Sequence, residues 1–202
     1  MKKYSILFAA FLFSCTSEIE SPDSILQRFS SSSEANPYQV LTNIDFATGG
    51  IGPWEISYGS LWDSPNKGKI KLVEHSTYYD VIFTPSLKEE HDWDLQLLQR
   101  HLNIKPGYSY NLAFGGNTTK ENSKAPLVLV LLHCEEDGTC ESGDYKKWEK
   151  SFSSSTYTEY EDVWNNCNIN DPNTTFVISA GHSTVEFLLS WISLWAVPIN
   201  CP

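Results

Sequence analysis

Beyond residue 37 the chain is a succession of short runs rich in β-branched and aromatic side chains, and no stretch holds a helical period beyond two or three turns. These runs predict strands over 38–46, 54–58, 69–74, 80–83, 93–99 and 108–114. Further strands are predicted over 127–134, 148–152, 158–164, 174–179 and 185–195. Between the runs stand Gly49-Gly50, Pro65-Asn66, Pro106-Gly107, Gly115-Gly116-Asn117, Asp137-Gly138 and Asp171-Pro172, residues whose backbone preferences favour turns. Many short strands punctuated in this way predict one all-β domain, a β-sandwich or jelly roll.

Alternation along two segments assigns faces. In 108–114, Tyr110, Leu112 and Phe114 share one side and predict core, while Ser109, Asn111 and Ala113 share a small, polar outer side. The same parity places Trp93, Leu95 and Leu97 inward and Asp94 and Gln96 outward, so Gln96 and Asn111 are expected on one surface. Trp54 also falls on core parity.

The amino end changes the picture by naming a compartment. Lys2 and Lys3 precede an apolar run from Ile6 to Phe13 that is too short to span a bilayer and suits a secretory signal. Leu12-Phe13-Ser14-Cys15 resembles a lipobox, with Phe13 a looser match than the usual small residue. Cleavage before Cys15 would remove residues 1–14 and leave a thiol carrying diacylglycerol, joined by an acyl chain such as palmitate. An ordinary signal peptide with an incidental cysteine is the alternative; the cysteine's position and the polar sequence after it favour lipidation. Residues 15–36, with Ser30-Ser31-Ser32-Ser33, read as a flexible tether, and residues 37–202 as the folded domain. Thr16 after the anchor, rather than Asp, suits sorting to an outer membrane and the cell surface.

Net charge is −11, and removing the signal takes Lys2 and Lys3 with it, leaving −13. That acidity argues against nucleic acid and anionic polymers as partners and leaves neutral ligands open. Besides Cys15 the chain has Cys134, Cys140, Cys167 and Cys201, and an exported chain sits where disulfides persist. Four thiols permit three pairings. The local one joins Cys134 to Cys140 at a hairpin end and leaves Cys167 for Cys201. Zinc is the competing reading, but the spacings contain no CxxC pair, and His133 beside Cys134 leaves the ligand set short.

Three stretches resemble the CenC-like carbohydrate-binding modules, the group containing families four, nine and twenty-two. Asn43-Ile44-Asp45-Phe46, Gly49-Gly50 and Pro53-Trp54-Glu55-Ile56-Ser57-Tyr58-Gly59 look like the opening strand, glycine turn and Trp-led second strand. Trp93 to Gln99 followed by Leu102 to Phe114 is the most specific part, and Val185 to Leu194 matches the closing strand. The resemblance implies a galactose-binding-like jelly roll holding a β-glucan, xylan or related polysaccharide in a cleft across one sheet. Tyr58 then falls where a sugar-stacking aromatic is presented, and Gln96 on a strand lining the cleft. The chain departs from the pattern at Ala113 and at Phe176-Val177-Ile178-Ser179, where cleft residues are commonly polar. It also has Ser190 where the family often holds structural calcium with an Asp, leaving Asp45 as a single candidate carboxylate.

Sugar binding needs flat aromatic faces for the C–H side of a pyranose, and amides or carboxylates for its hydroxyl rim. Tyr58, Trp62, Gln96 and Asn111 are the candidates; Trp62 lies in a loop, where a large aromatic is harder to bury. Trp148, Trp164, Trp191 and Trp195 read as core or edge residues. No GxSxG elbow, HExxH or P-loop occurs, and the acids of 89–94 and 159–162 read as solvated faces, so no catalytic residue is nominated. The two functional expectations are a polysaccharide-binding, non-catalytic lipoprotein and a lipoprotein that contacts another cell-surface protein without sugar.

Overall fold

The structure, a computed structural model, describes residues 36–202 apart from 60–62, 64, 66, 76–78, 87–90, 136–138, 181 and the side chains of 92, 141 and 142. The expected signal, Cys15, most of the tether and Trp62 lie outside the described residues. The strands, in chain order, are β1 Tyr38–Gln39, β2 Glu55–Ser57, β3 Lys69–Glu74, β4 Tyr79–Thr84, β5 Gln96–Ile104 and β6 Tyr108–Thr118. Then come β7 Ala125–Cys134, β8 Cys140–Phe152, β9 Thr158–Asn166, β10 Asp171–Ser179 and β11 Phe187–Pro198.

Two antiparallel sheets result. One runs β3-β4-β11-β6-β9, with β1 also on β11; the other runs β2-β5-β10-β7-β8. Their inner faces are the alternate apolar residues of each strand. Leu112 and Phe114 of β6, Ile192 and Leu194 of β11, Leu127, Leu129 and Leu131 of β7, and Phe176 and Ile178 of β10 all belong to one core cluster. Phe83 and Phe187 stack at 4.7 Å between centroids, and Trp54 meets Phe176 edge-on at 6.3 Å, so the aromatic content goes into filling the layer between the sheets. The all-β sandwich read from the pattern is the fold observed.

Local departures have local causes. The expected strand over 38–46 is regular only at Tyr38–Gln39, because Asn43 and Phe46 take left-handed φ values of 50° and 55°. The segment still follows β11 through Val40 N–H to Leu194 O (2.8 Å) and Ile192 N–H to Ile44 O (2.9 Å). It is tied to the other sheet by Gln99: the Thr42 N–H donates to Gln99 Oε1 (2.9 Å), and Gln99 Nε2 donates to Thr42 O (3.0 Å). Ser109, Asn111 and Ala113 are buried rather than solvated, at 7%, 7% and 3% exposure. Their strand, β6, is flanked by β11 and β9, whose larger side chains cover such small residues; Trp195 and Val163 stand opposite Asn111.

The turn between β5 and β6 is fixed by Gly107 at φ 82°, a conformation that L side chains avoid. It is also held by the Tyr110 hydroxyl, which accepts the Lys105 N–H (2.6 Å) and donates to Lys105 O (3.1 Å). Burial pushes that phenol well above its ordinary range. The sheets are clipped at one edge by Lys150 of β8 and Asp162 of β9, 2.8 Å apart.

Both disulfides match the local expectation: Cys134 joins Cys140, and Cys167 joins Cys201. The first closes a loop of 6 residues and the second one of 34, so the chain-entropy difference favours the second. Replacing Cys167 and Cys201 together by serine is expected to lower unfolding free energy by about 4 kcal/mol, against about 2 kcal/mol for Cys134 with Cys140. Chemical denaturation of the two double variants checks the order.

At the end of β7, His133 Nδ1 lies 3.1 Å from Asp171 Oδ2 and Nε2 lies 3.3 Å from Glu135 Oε1. The hydrogen bond to Asp171, then that to Glu135, raises the imidazole above its ordinary 6.5. Burial by itself would raise the Asp171 carboxyl, but the Asn173 N–H, the Thr174 hydroxyl and His133 outweigh it and hold it below 3.8. A raised imidazole stabilises fully below 6.5 and loses its contribution as pH climbs through its folded value; a lowered carboxyl stabilises above 3.8 and loses its contribution as pH falls. Stability of the folded chain is therefore expected to decline as pH rises above 6.5, and His133→Gln to flatten that limb, as read by melting temperature against pH.

Candidate functional site

A strand with one face in the core must offer the other face outward. On β2-β5-β10-β7-β8 these outward residues line an open trough of about 430 Å³, within the range of ligand sites. Its floor is aliphatic: Leu98 of β5, Val177 of β10, and Val128, Val130 and Leu132 of β7. Polar groups surround it, with Ser57, Gln96 and Ser179 toward one end, Lys147 beside the middle, and Arg100, Asp144 and Thr175 toward the other. Leu98, Val130 and Val177 are 5%, 9% and 6% exposed, while Val128 and Leu132 are half-buried.

Gln96 belongs to this trough. Its Nε2 donates to Ser179 Oγ at 3.0 Å, an interaction that fixes the amide across the β5–β10 pair and leaves its carbonyl oxygen as the acceptor. Register places Ser57 directly opposite Gln96.

Trp93 corrects the parity expectation. A 3-10 turn over Asp92–Asp94 precedes β5, and its tighter winding breaks the two-residue alternation. Trp93 is consequently 50% exposed and lines the trough, whereas Asp94 is fully buried and accepts the His91 N–H at 3.0 Å. The indole is backed by the His91 ring, 4.4 Å away and 14° from parallel. Gly59 makes room beside it: a Cβ there would stand 2.8 Å from Trp93 Cδ1 and 2.5 Å from its carbonyl oxygen. The Trp-led strand β2 and the turn before β5 thus converge on one exposed aromatic.

The other nominated residues are placed differently. Tyr58 continues the inward parity of Ile56, packs half-buried against the core, and has Lys67 Nζ 4.5 Å over its ring; it does not line the trough. Asn111 lies on β6 in the opposite sheet, buried, donating to Ser109 O at 3.3 Å, so it shares no surface with Gln96. Trp148 is core, and Trp54 is core as expected. Asp45 is exposed and accepts the Ala47 N–H at 3.2 Å, closing its own turn. Among the described residues no three His, Cys, Asp or Glu side chains gather as a metal site.

Sequence reasoning missed the trough floor, yet a signal existed. The runs Leu127 to Leu132 and Phe176 to Ile178 are apolar without alternation, the mark of strands covered on both faces. One face is the core; the other is the trough.

No family model matches the chain. Dihydroorotases of Staphylococcus aureus, among them those of strains Mu50 and N315, are 35% identical over 71 residues, 35% of this chain. The chain spans 16% of the length of those relatives, a likeness that carries neither family nor activity to it. Solved structures share the architecture. The CBM22-1 xylan-binding domain of Paenibacillus barcinonensis Xyn10C gives a TM-score of 0.57 at 9% identity, covering 83% of this chain and 100% of that one. A CBM4 structure gives 0.53 at 12%, over 71% and 86%. The Stig cyclase Fisc of Fischerella sp. TAU gives 0.60 at 9%, over 82% and 100%. The fold is that of the carbohydrate-binding modules. The same fold also carries a cyclase, so function has to be argued from the trough.

Proposed function

We propose that the chain is a non-catalytic binder of a polysaccharide, held along the trough of the β2-β5-β10-β7-β8 sheet. The observation that carries this reading is the convergence of an exposed, braced indole, Trp93, with the fixed amide of Gln96 at one end of an open trough. Trp93 supplies a flat face for the C–H side of a pyranose. Gln96 and Ser57 supply acceptors and donors for hydroxyls, and the aliphatic floor packs against ring edges. The trough crosses every strand of its sheet, an extent suited to a chain rather than a single sugar. A groove that carries an exposed aromatic favours sugar over a protein partner, for which a flat apolar patch would be suited.

One aromatic stack at roughly 0.5–1.5 kcal/mol and four hydrogen bonds at roughly 0.5–1.5 kcal/mol each give about 2.5–7.5 kcal/mol. Affinity no tighter than about micromolar follows, and millimolar binding is within that range. Native gels containing soluble xylan, β-glucan or mannan provide the test. Retardation in at least one is expected, and Trp93→Ala is expected to weaken it by roughly twofold to tenfold, the factor equivalent to the lost stack. Tyr58→Ala is expected to act on stability rather than on retardation. Unretarded migration in every polysaccharide defeats the reading.

The amino-terminal sequence supports a further part of the proposal, that Cys15 is lipidated and tethers the domain to a cell-envelope membrane, with display at the cell surface. Metabolic labelling with palmitate is expected to mark the chain and to fail for Cys15→Ser; equal labelling of both removes the anchor from the account.

A further inference from the structure

The chain is strongly acidic, at −11 overall, yet two cations line the trough. Its charged lining is Arg100 and Lys147, which pair with Glu55 and Glu149 at its margin, together with Asp144. Arg100 owes its place to a β-bulge. On β10, Phe176 stands opposite Gln99 and Thr174 opposite Leu102, so Thr175 alone faces Arg100 and His101. His101 absorbs the extra residue at φ 58°. The bulge returns Leu102 and Ile104 to the core while leaving Arg100 on the outer face with Gln96 and Leu98, a device that re-aims a side chain.

Two donors at this bulge lack partners. Arg100 Nε is held by Glu55 Oε2 at 3.1 Å, but Nη1 is buried with no hydrogen-bond partner. Thr175, 1% exposed and part of the trough lining, has an Oγ1 with no partner either. Buried polar groups are ordinarily satisfied, so unsatisfied ones at a site mark where an incoming acceptor gains most. A guanidinium edge beside a hydroxyl suits a planar carboxylate, which takes parallel hydrogen bonds from the fork.

Resting on the polysaccharide reading above, we infer that the bulged end of the trough is a subsite for an acidic sugar, a uronic acid whose carboxylate meets Arg100 Nη1 and the Thr175 hydroxyl. Lys147, opposite Val130 on β8, is ion-paired with Glu149 at 2.9 Å, so the subsite rests on Arg100 and Thr175. The polymer it selects is then a glycan carrying uronic acid units. The overall negative charge of the chain opposes long, uniformly charged polyanions at a distance, which favours sparse acidic units on a mostly neutral backbone.

The test compares the purified full chain in native gels containing glucuronoxylan, the same xylan with its carboxyls reduced to alcohols, and polygalacturonate. Glucuronoxylan is expected to retard the chain at least severalfold more strongly than the reduced polymer, with the difference shrinking as salt is raised. Arg100→Met and Thr175→Val are each expected to bring the ratio of the two toward one. Arg100→Lys, which keeps the charge and loses the fork, is expected to restore only a minor part of the preference; melting curves confirm that each variant is folded. Equal retardation by the native and reduced polymers, or a preference unchanged in folded Arg100→Met, overturns the acidic subsite while leaving the polysaccharide reading intact. Stronger retardation by polygalacturonate than by glucuronoxylan overturns the sparse-unit selectivity. No retardation in any of the three, nor in neutral β-glucan or mannan, overturns the polysaccharide reading and the subsite together.

Discussion

The structure depends on one constraint: two sheets share a core only if each strand commits alternate side chains to it. Once Leu127, Leu129 and Leu131, Phe176 and Ile178, and Leu97 are committed inward, Val128, Val130, Val177, Gln96 and Leu98 have no choice but the outer face. The trough is therefore the complement of the core. Core and trough cannot be altered independently by sliding a strand, because a shift of one residue exchanges the two faces.

What distinguishes this trough from a plain outer face is two interruptions of that alternation on the segment around β5. The 3-10 turn at Asp92–Asp94 swings Trp93 outward and buries Asp94 in its place. The bulge at Arg100 and His101 resets the phase so that Leu102 still reaches the core. Between the two irregularities the strand is regular and carries Gln96 and Leu98 at fixed spacing. The aromatic at one end sits on the 3-10 turn that leads into β5, and the guanidinium at the other sits on the strand itself, where backbone pairing holds it.

Buried polar groups are satisfied near the β5–β6 turn and the opening segment, while two of the unsatisfied ones lie in the trough. Gln99, nearly buried on the core side, makes paired hydrogen bonds to Thr42, and buried Asn166 bonds to Lys105, Asn168 and Ile169 near the Cys167–Cys201 bridge. In the trough, by contrast, Thr175 Oγ1 and Arg100 Nη1 have no partner. The fold is shared with xylan-binding and cyclase structures alike, so the identity of these few outward groups, more than the sandwich, carries the functional argument.

Among three disulfide pairings, sequence by itself favoured the local one, and the structure decided it. Sequence determined the class of fold and the rough position of the strands, because these follow from period-two patterning and turn residues. Gln96 was legible for the same reason: it lies on a strand whose alternation holds through Leu95, Leu97 and Gln99. Only the tertiary structure decided that Trp93 is exposed on the trough, that Tyr58 turns inward, and that Asn111 belongs to the other sheet. A tight turn shifts the phase of neighbouring residues without an unmistakable mark in composition, and strand parity says which side a residue faces but not which sheet it joins. Sheet membership is settled by pairings between residues far apart in the chain, and those come into being only when the two layers close on a common core.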